Sequence, residues 1–410
     1  MKITKEFMAL VMILNIKLLY SPIKSKNQKD KINNTMKATH FSIGLGFILL
    51  LASCMQDKTK NGDVKTILFE DKYTDLTEKL DCQFIPLETN DSCLIASVSD
   101  MVFDSSRLYL IDGKSNLVFA FSLSGEFISQ VGNVGSGPSE YQYPVNLHID
   151  KTKQELIVAD ANTPKLVYYD LKTLKYKRQL RSDDYFTNCA WLPNGDIILA
   201  SGSSYVTPKR ERFYAQITDE NLKRKQYVCP CSFDPQYRLA IGSVFYTFQD
   251  QVYLNLPFLH SVYQISETTC EETYAIELKG FQMPDQNWLK ANAEENYFAA
   301  LSRSDYVSAI QYQETNRYLY TTFLVGGSKD YIAFYDKELK SSMIYSGYDF
   351  IKETSLNGLS KVITTYNDTF VATINPDVLK EKGTTIEELA QLSQSLPAES
   401  NPILCLFTFK

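Results

Sequence analysis

A four-residue apolar segment returns through this chain at a fixed interval. Val118-Phe119-Ala120-Phe121 is followed 48 residues later by Leu166-Val167-Tyr168-Tyr169, then by Tyr214-Ala215-Gln216-Ile217 and Val262-Tyr263-Gln264-Ile265 at the same spacing. Equal spacing over such a distance means one structural unit written repeatedly. The next match, Ile332-Ala333-Phe334-Tyr335, comes 70 residues on, and the last, Leu404-Cys405-Leu406-Phe407, another 72. Both longer intervals hold a stretch of helical character. Asp285–Arg303 places Leu289, Ala293, Tyr297 and Leu301 at helical spacing. Pro376–Leu396 starts behind Asn375 with proline in the first turn, and Thr384-Thr385-Ile386-Glu387 offers a second start as a capping box. Without these two insertions the chain becomes six units of one length.

Within each unit, short strands precede the repeated segment. Val102-Phe103-Asp104 stands before Leu108–Asp112, and His148-Ile149-Asp150 before Leu156–Asp160. Ala190-Trp191-Leu192 leads through the turn Pro193-Asn194-Gly195 into Asp196–Ser201. Four short strands per period of 40–50 residues is the pattern of a propeller blade. The expected fold is therefore all-β, a six-bladed β-propeller with two short helical insertions. The sixth unit lacks a strand after Leu404–Phe409, whereas Cys82–Leu87 near the front has no unit of its own. Pairing the two closes the ring, so the last blade is expected to be completed by the N-terminal strand. Thr66–Phe69 is the first expected ordered stretch.

Twenty-seven tyrosines and 23 phenylalanines agree with a strand-rich chain. The formal charge of −6 is unevenly spread: residues 1–54 carry eight Lys and two acids, which leaves 34 basic against 46 acidic residues, −12, in the body. Nucleic acid is thereby excluded as a partner, because its binding depends on basic side chains that release counterions. Of the eight cysteines, Cys82 and Cys93 flank a polar turn and could face each other across a hairpin, while Cys229 and Cys231 are separated only by Pro230. Structural or free thiols are expected there, since no further ligands for a metal lie near Cys-Pro-Cys.

The front end reads as an address. Lys37 precedes a twelve-residue apolar core, Phe41–Ala52, closed by Leu51-Ala52-Ser53-Cys54. That core is shorter than the ~20 residues of a membrane-spanning helix and has the form of a signal peptide. Met36 begins the signal naturally, so residues 1–35 read as an over-long start, with a membrane-associated Phe7–Tyr20 element as the competing reading. The expected division is 1–35 extension, 36–53 signal peptide, 54–65 flexible tether and 66–410 propeller.

Three resemblances join these patterns. Leu51-Ala52-Ser53-Cys54 resembles the bacterial lipobox, which implies that Cys54 is lipidated and anchors the chain to a membrane of the cell envelope, the outer membrane being expected. LYLIDGKSNLVFAFSLSGEFI and LIVADANTPKLVYYDLKTLKY look like NHL-type repeats, with an aspartate after the second strand. The order FIPLET, GSGPSEY and NPILCLFTFK resembles the six-bladed β-propeller lipoproteins of Gram-negative bacteria over about residues 64–410, with Ser139 where that family's loop often has glycine. The resemblance implies architecture and export more than chemistry.

Candidate sites follow from the expected fold. Loops between second and third strands share one face with the loops between blades, and such concave mouths are where ligands sit. Tyr141, Tyr143, Tyr185, Tyr205, Arg210, Arg238 and His260 fall in these loops. Rings and charged groups of this kind grip a glycan, a peptide or a protein partner by stacking and bidentate hydrogen bonds. Loops of a tyrosine-rich chain also carry tyrosines without any such role. Asp112 and Asp160 hold equivalent positions, either as ligands of a hard cation such as calcium or as acceptors that fix their turns. Gly135-Ser136-Gly137-Pro138 lacks the lysine and helix of a phosphate loop and reads as a tight inter-blade turn. Only His148 and His260 follow the signal, so a three-histidine zinc site cannot be assembled. His148 is expected on an inner strand near the central channel. A non-catalytic binding or scaffolding module is the leading expectation. The alternatives are a metal-dependent lactonase, lyase or glycan-processing enzyme, and a structural subunit of an outer-membrane complex.

Overall fold

Residues 64–70, 79–231, 244–255, 260–292, 297–397 and 399–410 are described by the computed structural model. The extension, the signal peptide with Cys54, the tether up to residue 63, and Arg238 lie outside the described residues.

Strands β1 (Lys65–Phe69) and β2 (Leu80–Pro86) precede the repeats. Blade one is β3 (Val98–Phe103), β4 (Arg107–Asp112), β5 (Leu117–Ser122) and β6 (Phe127–Val131). A small parallel pair, β7 (Asn133–Val134) and β8 (Glu140–Tyr141), leads to blade two: β9 (Pro144–Asp150), β10 (Glu155–Asp160), β11 (Lys165–Asp170) and β12 (Tyr176–Arg181). Blade three is β13 (Asn188–Trp191), β14 (Ile197–Val206), β15 (Arg212–Thr218) and β16 (Arg224–Pro230). Blade four is β17 (Phe245–Phe248), β18 (Gln251–Asn255), β19 (Ser261–Ile265) and β20 (Cys270–Leu278). Helices α1 (Gln286–Ala291) and α2 (Tyr297–Ser302) connect it to blade five, β21 (Val307–Glu314), β22 (Tyr318–Val325), β23 (Lys329–Asp336) and β24 (Ser341–Ser346). After α3 (Gly347–Thr354), blade six contributes β25 (Thr364–Tyr366) and β26 (Thr369–Ile374), then α4 (Pro376–Lys382), α5 (Glu387–Ser395) and β27 (Ile403–Phe409).

The repeated apolar segment is the third strand of each blade, and its position explains its composition. Val118 and Ala120 of β5 pack into the seam with blade two, whereas Phe119 and Phe121 pack into the seam with blade six. All four are at most 1 % exposed. A strand covered on both faces reads as a continuous apolar run instead of an alternation. Six apolar clusters lie in the six seams between successive blades. Each fully buried Phe or Leu in them stabilises the ring by about 1.5–3 kcal/mol relative to exposure.

Closure follows the expected route. β2 pairs antiparallel with β27 from Leu80 opposite Phe409 to Pro86 opposite Ile403, and becomes the outer strand of blade six. Asn401 fastens the seam. Its Oδ1 accepts the Ile95 N–H at 2.7 Å, its Nδ2 donates to the carbonyls of Glu88 and Cys93, and its own N–H donates to Thr89.

Several expectations are corrected. β1 joins blade four as a fifth strand, parallel to β20, with Ile67 and Phe69 fully buried in the seam toward blade five. A third helical connection, α3, stands between blades five and six, where Ser346 accepts the Asp349 N–H as its cap. Asn375 caps α4 as expected, but α5 begins at Glu387 without a side-chain cap, because Thr384 accepts the N–H of Ile386 and not one inside the helix. Cys82 faces Cys405 across the closing strands, while Cys93 is buried in the following loop and donates to the Glu88 carbonyl. Cys229 forms a disulfide with Cys270, which joins the fourth strands of blades three and four, β16 and β20.

Candidate functional site

The connections from second to third strands and from one blade to the next emerge on one face. All five helices among the described residues belong to such connections and so lie on this face.

The aspartates that end β4 and β10 are buried beneath it. Asp112 Oδ1 accepts the N–H groups of Ala96 and Ser97 at 3.1 and 2.8 Å, and Oδ2 that of Ser115 at 3.0 Å. Asp160 repeats the arrangement with Gln142, Tyr143 and Asn162, and adds the Thr163 hydroxyl. Each carboxylate therefore ties the connection that enters its blade to the turn that leaves the second strand. Among the described residues, no group of three or more His, Cys, Asp and Glu is placed to hold a metal ion.

Of the loop residues expected to meet a ligand, two are core residues. Tyr141 is fully buried, its hydroxyl donating to the Val131 carbonyl at 2.5 Å and accepting the Val118 N–H at 3.0 Å. It closes the glycine-rich connection, in which Gly132 has φ +63° and lies so near the Tyr169 hydroxyl that no Cβ would fit. Tyr205 is 8 % exposed and donates to the Tyr185 carbonyl at 2.9 Å; burial holds its hydroxyl well above the usual range. Tyr143, Arg210 and His260 are exposed and Tyr185 is half-buried, each in a different connection of the same face.

The face also opens a pocket of about 500 Å³ lined by Gly280, Phe281, Gln282, Asp305 and Tyr306. Its walls are the two ends of the connection that carries α1 and α2, held together by a parallel bridge between Gln282 and Tyr306. Trp288 of α1 packs edge-on against Tyr306, with ring centroids 5.2 Å apart.

Deeper, the inner strands of the six blades surround the central channel. Each is an edge strand with N–H groups that its own sheet leaves unpaired, and these need acceptors. In blades two and three a side chain of the preceding blade supplies one of them. Asp100 of blade one accepts the Leu147 N–H at 2.7 Å, and Asn146 of blade two accepts the Cys189 N–H at 2.9 Å. The two positions are equivalent: Asp100 lies opposite Ile111, which pairs with the first residue of the repeated segment in blade one, and Asn146 stands in the same relation to Ala159. By the same register, Gln311 opposite Thr322 is their counterpart in blade five. Its Oε1 accepts the Lys361 amine of blade six at 2.8 Å.

Burial shapes the charges here. It pushes the Asp100 carboxyl up to about 6, against the opposing pull of the Leu147 N–H. His148 stacks on Trp191 of the next inner strand, with ring centroids 4.3 Å apart and planes 5° from parallel, and burial pushes its imidazole down to about 4. The expected inner-strand position of His148 is found, but its partner is a ring. Lys361 is pushed below its ordinary value by the protein crowded around it.

Comparisons with known proteins agree with this architecture. A family model described as a 6-bladed beta-propeller, DUF5128, matches residues 55–373. A crystal structure of a Bacteroides fragilis protein, named provisionally as exported, superposes with a TM-score of 0.78 at 24% identity and covers 84% of this chain and 100% of its own. A member of the DUF4221 family from Bacteroides vulgatus superposes with a TM-score of 0.53 at 11% identity, covering 82% and 99%. No curated protein matches the sequence. With most of its length matched by the model, the chain belongs to the DUF5128 family of six-bladed β-propellers.

Proposed function

We propose that this protein is an exported propeller, anchored by lipid through Cys54, that binds a glycan, peptide or protein partner at the face bearing its helices. The observation that carries the reading is the pocket of about 500 Å³ on that face, where aromatic side chains of Phe281 and Tyr306 meet the polar groups of Gln282 and Asp305. Ligand sites combine apolar surface with a few oriented polar groups in this way. The lipobox-like Leu51-Ala52-Ser53-Cys54 behind its apolar core supports export and anchoring. The exported-protein name carried by the similar Bacteroides fragilis propeller supports export alone.

No observation favours the calcium-dependent enzyme, because the carboxylates of Asp112 and Asp160 are engaged by backbone N–H groups. The test is a ligand screen on the detergent-extracted protein, reading the melting temperature against glycan and peptide panels with and without chelator. A shift that survives chelation and is lost in Tyr306→Ala supports the binding module. Turnover that requires added calcium would replace it with the enzyme. For the anchor, Cys54→Ala should abolish incorporation of a fatty-acid label, and a variant that still takes the label would refute lipidation there.

A further inference from the structure

Lys361 is exposed to water and yet crowded by protein, and it reaches an inner strand of the neighbouring blade. A position at the wall of the central channel meets all three conditions. Several other cations of the ring stand against carboxylates, and the buried Lys165 has the Gly137 carbonyl. Lys337 is held by Glu314, Lys177 and Arg178 by Glu155, and Lys225 by Asp196. Among the described residues, no Asp or Glu lies within ion-pair distance of Lys361, whose amine has the neutral amide of Gln311 instead.

The repeat makes this arrangement informative. Where Asp100 and Asn146 accept a backbone N–H of the next inner strand, their counterpart Gln311 accepts a side-chain ammonium. The Lys361 backbone is also fixed, since the preceding Ser360 N–H bonds to the Thr373 carbonyl at 2.7 Å and the Ser360 hydroxyl to the Lys361 carbonyl at 2.9 Å. The amine is thus aimed and held, with two of its three donors left for something else. A cation partly removed from water and lacking a counter-charge draws an anion into the space before it. Asp100 and Asp150 also stand on inner strands, but the first is engaged by the Leu147 N–H and the second by the Lys153 N–H.

We infer that Lys361, positioned by Gln311, forms an oxyanion site in the channel that takes the carboxylate, sulfate or phosphate group of an acidic ligand. This deepens the binding reading above and rests on it only for the identity of the molecule that carries the anion.

The probe is bromide, which anomalous scattering locates in soaked crystals of the protein, with inorganic phosphate, sulfate and acetate as solution probes. Bromide is expected within about 3.5 Å of the Lys361 Nζ. It should vanish in Lys361→Met, and phosphate or acetate should raise the melting temperature of the parent but not of that variant. Bromide that occupies surface lysines and avoids the channel would overturn the site, as would an unchanged peak in Lys361→Met. If that variant does not fold, Lys361→Arg must retain the peak, and the parent's own bromide map still decides. Comparing the three oxyanions separates the possible headgroups. A ligand from the screen that binds Lys361→Met as tightly as the parent would sink the inference while leaving the binding reading intact. Loss of at least tenfold in affinity for an acidic ligand alone supports both.

Discussion

Asp100 accepts the Leu147 N–H across the seam between blades one and two at 2.7 Å, in the position that blade two fills with Asn146. One blade performs with a carboxylate what the next performs with an amide. The amide carries no charge to desolvate, which makes the repeat its own control.

Asp100→Asn should therefore stabilise the protein at neutral and alkaline pH. Burial raises the Asp100 pKa from 3.8 to about 6, so the folded state holds its proton more firmly than the unfolded state does. The associated stability is fully present below pH 3.8 and is lost as pH rises through about 6. Asparagine keeps the acceptor and removes the penalty, for a gain of about 1–3 kcal/mol at pH 8 that disappears near pH 3.5. Urea titrations at the two values measure it, and equal stability of both proteins at pH 8 would contradict the assignment.

His148 should act with the opposite sign. Its folded-state pKa is depressed from 6.5 to about 4, so the stability it contributes is present above 6.5 and is lost as pH falls through 4. In His148→Phe, which can keep a ring against Trp191, the loss of stability between pH 6.5 and 4 should be smaller than in the parent. Across pH 4–6 the Asp100 and His148 effects oppose each other and partly cancel in the parent, so the two single variants should depart in opposite directions from the profile that the parent and the double variant share. An acid limb unchanged by His148→Phe would show that the imidazole is not held neutral.

Deleting Asn401–Lys410 should unfold the propeller, not merely shorten it. The deletion removes β27, whose Ile403, Leu404 and Cys405 are fully buried, and leaves β2 without a partner. Asn401→Ala isolates the fastening alone. It strands the Ile95 N–H, and the carbonyls of Glu88 and Cys93 lose their amide donor, for a cost of about 2–4 kcal/mol. Calorimetry reads both changes. A truncated chain that melts at the parent's temperature would rule this closure out.

How much was legible depended on whether the signal was local. The third strands could be read because both faces of Phe119–Phe121 are buried, which writes an unbroken apolar run into the sequence. The pairing of β2 with β27 was legible as a matter of counting strands. Parallel addition of β1 to β20 was not, since Lys65 and Tyr274 share no local pattern that announces their register. α3 carried a usable signal in Ser346 and Asp349, but only Phe350 and small residues are buried along it, so no apolar stripe marked it. Tyr141 looked like a loop aromatic because Gly132, which makes room for its ring, belongs to a glycine-rich stretch that also looks like a loop. The channel positions of Asp100, Gln311 and Lys361 emerge only when each blade is set against its neighbour, and no single repeat contains that information.

The seam between blades four and five supplies the last test, because a buried charge stands beside its apolar cluster. Glu314 ends the inner strand of blade five with its carboxylate fully buried. It accepts the hydroxyls of Tyr246 and Tyr274 from blade four at 3.1 and 2.9 Å, and the Lys337 amine at 2.9 Å. Both tyrosine hydroxyls are raised, by burial first and then by the Glu314 charge, so they stay protonated and keep donating. Lys337→Met leaves that charge buried with neutral partners only, which should cost about 3–5 kcal/mol. Glu314→Gln in the same background removes the stranded charge and should recover much of the loss. A double-mutant cycle by urea denaturation measures the coupling. A cost under about 1 kcal/mol for Lys337→Met would mean that the two tyrosines suffice to hold the carboxylate.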